Sequence, residues 1–150
     1  MDTLIGIHKV VLEPTSPKFR FNFSYERVAP EDKLIDYLIG FEALLLRRDE
    51  RQELEYRLAL RGAFLLGTDM EERKKIFFHL KTAYRERSNI VHGGSVKKVV
   101  SMGDSNIQFG EFVYRVGEYL RAAIRKFLKL CEEQNESLVI KSLDEKIVAG

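Results

Sequence analysis

Thr68-Asp69-Met70-Glu71 and Gly93-Gly94 bracket one long segment whose pattern constrains the fold of this chain more than any other feature. The first motif reads as a capping box that opens a helix, and the glycine pair reads as its stop. On a wheel turning about 100° per residue, Ile76, Leu80, Ala83, Tyr84, Ile90 and Val91 fall on one side. Such a helix is stable only when that stripe is buried against other helices. Arg87 falls in the middle of the stripe, where a charge must be paired or must line a cleft.

Partner helices follow from the same spacing. Pro30 suits a first helical turn, and Glu31 and Asp32 suit its positive end. Leu34, Ile35, Leu38, Phe41, Leu45 and Leu46 then repeat at helical intervals. A charged break from Arg47 to Arg51 separates this helix from a second, which carries Leu54, Leu58, Phe64 and Leu65 and closes at Gly67. Residues 95–109 read as a loop with one short extended piece. A fourth helix is expected from about residue 111 to 133, with Phe112, Val116, Leu120, Ile124, Phe127 and Leu128 on its apolar side. A shorter amphipathic stretch runs from Leu138 to Val148. The fold class is therefore mainly α, a bundle of four to five helices over residues 29–150.

Residues 1–28 carry a different period. Leu4 to Leu12 form a strand-like run, Glu13-Pro14-Thr15-Ser16-Pro17 is a turn cluster, and Phe19, Phe21, Phe23 and Tyr25 alternate with polar residues. This reads as a β-hairpin extension. Two strands alone are marginal in water, so the hairpin must lie on the helices, pair with another chain, or be the remnant of a preceding domain.

With 45% apolar and 32% charged residues among 150, the composition is that of a folded domain rather than a disordered one. The single cysteine, Cys131, forms no intrachain disulfide and fits a reducing, cytoplasmic setting. No targeting segment or membrane-length apolar run is present, so no membrane partner is expected. A net charge of +2 is too small to argue for nucleic acid by itself.

The chemistry concentrates near the end of the third helix. Glu42 lies among the apolar residues of the first helix and is the natural partner for Arg87. The pair fits a register-fixing ion pair better than a phosphate-binding arginine held by its glutamate, and the two are compatible. His92 ends the third helix, and Lys81, Arg85, Ser88 and His92 form one continuous polar face. Taken by itself that face is a solvated helix surface. The basic residues Arg115, Arg121, Arg125, Lys126 and Lys129 of the fourth helix read the same way, with snorkelling side chains. His8, His79 and Cys131 join no metal-ligand spacing or activated-thiolate setting, and no phosphate-binding glycine loop occurs. No cofactor and no metal are expected.

Three runs carry a resemblance: Asp36-Tyr37-Leu38-Ile39-Gly40-Phe41-Glu42-Ala43-Leu44-Leu45, Leu58-Ala59-Leu60-Arg61-Gly62-Ala63, and Tyr84-Arg85-Glu86-Arg87-Ser88-Asn89-Ile90-Val91-His92-Gly93. Together they resemble the Apea-like branch of the HEPN superfamily, over about residues 30–130. HEPN domains are helical bundles, commonly dimeric, marked by an arginine, four to six residues, and a histidine. Many are metal-independent endoribonucleases, and others are binding or assembly modules without activity. The residue after the arginine is often asparagine, aspartate or histidine in that family, and here it is Ser88, which can still donate a hydrogen bond. Both Arg85 and Arg87 satisfy the spacing. The resemblance selects Arg87, although on an ideal helix Arg87 and His92 are about 140° apart while Arg85 and His92 nearly coincide.

The resemblance implies Arg87 and His92 as the catalytic pair, with Arg85, Ser88, Asn89 and Glu42 auxiliary. An imidazole exchanges protons near neutral pH, and a guanidinium clamps a phosphate through two parallel donors. One histidine does not readily serve as acid and base in one step, so a homodimer that faces two such helices is expected. The expected reaction is RNA cleavage without metal, leaving 2′,3′-cyclic phosphate and 5′-hydroxyl ends, in a defence or toxin-like system. The rival expectation is a silent HEPN module that dimerises or docks a partner domain or antitoxin.

Overall fold

The computed structural model describes residues 21–22, 29–103 and 105–150. Five helices and one small sheet make up the fold in these residues: α1 (Pro30–Leu45), α2 (Leu54–Leu66), α3 (Met70–Val91), β1 (Val99–Ser101), β2 (Asn106–Gln108), α4 (Phe109–Cys131) and α5 (Glu136–Ala149). The mainly α expectation holds. The expected N-terminal hairpin lies outside the described residues except for Phe21 and Asn22, which are helical rather than extended. Phe21 does rest on the helices. Its ring stacks on Tyr37 of α1 at 6.0 Å, and the Arg121 guanidinium of α4 lies 5.2 Å from its centre.

The helix ends follow local chemistry. Pro30 opens α1 with Glu31 and Asp32 in its first turn, where acidic groups meet the positive end of the helix dipole. The capping box that opens α3 sits one residue later than expected. Asp69, not Thr68, is the N-cap and accepts from the Glu72 N–H at 2.8 Å. Glu72, not Glu71, reaches back to the N–H and hydroxyl of Thr68. Those two donors, backbone first, hold the Glu72 carboxyl below the usual range. Gly67 closes α2 as expected, though for want of room rather than a left-handed backbone. A Cβ there would meet the Arg73 backbone nitrogen at 2.9 Å and the Ala63 carbonyl at 2.8 Å.

Residues 95–109 differ from the expectation of a single extended piece. They hold an antiparallel hairpin in which Val100 pairs with Ile107. Strands of three residues give too short an alternation to read from sequence, and only the Val100 side chain is buried. The hairpin runs straight into α4, which therefore starts two residues earlier than expected.

The core is one cluster. Phe41, Phe112 and Phe127 are fully buried with Leu34, Leu38, Leu45, Leu58, Leu80 and Leu120 around them. α2 packs most extensively on α3, and α1 on α4, while α1 also crosses α3. Gly62 lets α2 approach α3 closely, because a Cβ there would stand 2.4 Å from Leu80 Cδ1. Burying side chains of this size stabilises by roughly 1.5–3 kcal/mol each, and that burial fixes the outward faces of α3. No helix among the described residues is long and apolar enough to cross a membrane.

Candidate functional site

α3 carries the candidate residues, and its last turn has a defined geometry. The Gly94 N–H donates to the Asn89 carbonyl at 2.8 Å and the Gly93 N–H to the Ile90 carbonyl at 3.0 Å, with Gly93 at φ +80°. This is a Schellman end, and its left-handed residue is the one place here that demands glycine. Gly94 serves a different need. A Cβ on it would lie 2.0 Å from Asn89 Oδ1, so the bare backbone makes room for the Asn89 amide. That amide donates to the Ser95 carbonyl at 3.1 Å and ties the following segment to the helix.

Arg87 faces inward, toward α1, as its place on the wheel requires. Its Nη2 is hydrogen-bonded to Glu42 Oε1, the partner expected from sequence. The Tyr84 ring lies 5.0 Å from the guanidinium carbon, in range for a cation–π contact. Burial, and next the Glu42 carboxylate, push the Tyr84 hydroxyl above its ordinary value. The pair is not sealed, with Arg87 17% and Glu42 29% exposed at their side chains. Arg87 Nε is buried without a hydrogen-bond partner among the described residues.

A second buried arginine, which the sequence reading did not single out for a role, shows what a saturated one looks like. Arg61 on α2 is 2% exposed. It donates to the Leu45 carbonyl at 2.8 Å, to both oxygens of Glu50 at 2.8 and 2.7 Å, and to Asp144 of α5 at 2.8 and 3.1 Å. Burial opposes its charge, but the Glu50 and Asp144 hydrogen bonds raise its pKa regardless. In return the Arg61 hydrogen bond holds the Glu50 carboxyl down to about 2. Arg61 thus joins the end of α1, the α1–α2 connection and α5. It sits three residues after Leu58 and four before Leu65, so the wheel argument that found Arg87 also finds Arg61.

The remaining candidates divide by face. His92, the C-cap of α3, is exposed, and its backbone N–H donates to the Ser88 carbonyl at 3.1 Å. Ser88 is half-buried. Arg85 is exposed and donates through Nε to Glu55 of α2 at 2.9 Å, a carboxylate that Lys81 also approaches at 3.8 Å. Within one chain, Arg87 engages α1 while His92 ends the helix in solvent. Asn89 and Arg85 line a separate cleft on the outer side of α3.

The basic face of α4 is largely committed to structure. Lys126 donates to the Leu65 and Leu66 carbonyls at 3.3 and 3.2 Å, capping α2, while Arg115 pairs with Glu111 and Arg121 with Glu118. Cys131 is fully buried. Among the described residues no group of three His, Cys, Asp or Glu side chains is placed to hold a metal ion. Comparison with protein-family models, with curated proteins and with solved structures gave no match.

Proposed function

We infer that this chain is a HEPN-type domain of the Apea-like branch that acts on RNA as a homodimer, cleaving it without a metal ion. The observation that carries the reading is the contrast between Arg87 and Arg61. A purely structural arginine in this protein has every nitrogen engaged by an acceptor. Arg87 has one carboxylate oxygen on Nη2 and one aromatic face, and its Nη1 meets no acceptor among the described residues. Its guanidinium keeps donor capacity there, while its unpartnered Nε lies buried. Glu42 and Tyr84 set its orientation, and the exposed His92 lies further along the same helix.

In this reading Arg87 holds the scissile phosphate and stabilises the charge that builds in the pentacoordinate transition state. His92 takes the ribose 2′-hydroxyl proton or protonates the departing 5′-oxygen. In this reading the site is shared by two chains, each giving one Arg87 and one His92, because one histidine does not readily act as acid and base in the same step. Ser88 shapes the edge of the site, while Arg85 and Asn89 line the separate cleft on the outer side of α3, where Arg85 is a phosphate contact. The setting is a cytoplasmic defence or toxin-like system.

Subunit mixing tests the shared site. An excess of His92→Ala chains draws wild-type chains into mixed dimers and suppresses cleavage per wild-type chain. Unchanged cleavage per wild-type chain contradicts the shared site. A second reading, a catalytically silent HEPN module that docks a partner domain or antitoxin, is favoured by one observation. Arg87 already has its charge compensated by Glu42. That reading gains if the dimer forms and cuts no RNA.

A further inference from the structure

A cleft of about 560 Å³ separates the outer face of α3 from the segment that follows it. Ligand pockets commonly span roughly 300–1,000 Å³, so the space suits a small organic group. Phe78 and Arg85 line it from α3, and Ser95 and Lys97 from the opposite wall.

Phe78, 43% exposed, offers an aromatic surface to the cleft. Arg85 lies seven residues further along, a rise of roughly 10 Å, and helical side chains lean back toward the N-terminus, which brings its head group nearer the ring. Only Nε of Arg85 has a protein acceptor among the described residues, so both terminal nitrogens remain available to an anion. Lys97 reaches Glu86 at 2.5 Å. Glu86 is only 5% exposed, a buried carboxylate whose charge Lys97 compensates. The Lys97 side chain is itself 59% exposed, which leaves further N–H donors facing solvent. The Asn89–Ser95 hydrogen bond holds the two walls together.

An aromatic surface and cationic donors lining one cleft match a planar base joined to a phosphate. We propose that this cleft holds one nucleotide unit of single-stranded RNA, its base stacked on Phe78 and its phosphate held by Arg85 and Lys97. The assignment rests on the RNA reading above and adds a strand-holding subsite on a different face from Arg87. Stacking on aromatic side chains with basic contacts to the backbone is how single strands are held without sequence preference. A duplex keeps its bases stacked on each other and does not offer them to Phe78.

The test is fluorescence anisotropy with a labelled oligoadenylate on full-length chains carrying His92→Ala, so that the strand survives. Phe78→Ala and Phe78→Leu should each weaken binding by about tenfold, the second because it keeps apolar bulk without a stacking face. Arg85→Ala should weaken binding several-fold and lower the slope of log affinity against log salt by about 1. Phe78 is exposed, so both of its variants should keep the parental circular dichroism. Binding unaffected by both Phe78 substitutions, or no binding of the oligonucleotide, overturns the subsite. Displacement by adenosine monophosphate at equimolar concentration overturns the strand assignment in favour of a free nucleotide. Cleavage with Phe78-independent binding removes the subsite and leaves the nuclease reading. Phe78-dependent binding in a protein that never cleaves does the reverse.

Discussion

Arg87 on α3 and Glu42 on α1 form an ion pair between two core helices, with the Tyr84 ring packed on the guanidinium from one turn earlier. Glu42→Ala leaves that charge partly buried without its acceptor. Both side chains retain some exposure, so the cost falls below that of a fully buried pair, at about 2 kcal/mol. Glu42→Gln should cost less, because its amide oxygen still accepts from Arg87. Urea denaturation midpoints of the two variants measure the difference, and unchanged midpoints in both remove the pair from the account.

Arg61 and Glu50 give the protein an acid-sensitive joint. Glu50 titrates at about 2 when folded, against 4.5 for an unperturbed group. A depressed carboxyl pKa contributes stability that is fully present above the unfolded value and is lost as pH falls toward the folded one. The wild-type thermal midpoint should therefore drop as pH falls from about 4.5 toward 2. Glu50→Gln should start lower at neutral pH and show a shallower decline across that interval. Parallel curves for the two proteins would contradict the assignment.

Gly94 has a steric role beside the Asn89 amide, distinct from the left-handed role of Gly93. Gly94→Ala must displace the Asn89 side chain and break its bond to Ser95, costing roughly 1–3 kcal/mol as overpacking does. Amide hydrogen exchange should accelerate in residues 95–101 with little change in the α1–α4 core. Exchange that accelerates uniformly across the chain would mean that Asn89 does not anchor this segment.

Sequence reached some of this structure and missed the rest for identifiable reasons. Helix ends were legible at Pro30 and Gly93, which act through their own local geometry. The cap of α3 lay one residue beyond its reading, and Gly67 answers to Arg73 across the turn. The Glu42–Arg87 pair was legible because a charge at the centre of an apolar stripe announces a partner. The hairpin was not, since strands of three residues leave no period to detect. The Arg61–Asp144 bond spans 83 residues of chain, and nothing local to Asp144 points to it. The Phe78 cleft escaped notice because it forms only when residues 95–101 fold back over α3. Arg87 engages Glu42 of α1 while His92 is the exposed C-cap of α3, and the wheel spacing of the two did not bring them onto one face.

RNA cleavage in EDTA, wild type against His92→Ala, decides whether this domain is a metal-independent nuclease. The wild-type protein should cut single-stranded RNA and leave 2′,3′-cyclic phosphate and 5′-hydroxyl ends. His92→Ala should abolish cutting with its thermal midpoint unchanged, since an exposed C-cap contributes little to the core. Arg87→Lys should not restore what Arg87→Ala loses, because an ammonium lacks the planar pair of donors. Wild-type protein that leaves RNA intact under every metal-free condition, or His92→Ala protein that cuts as fast as wild type, contradicts the claim.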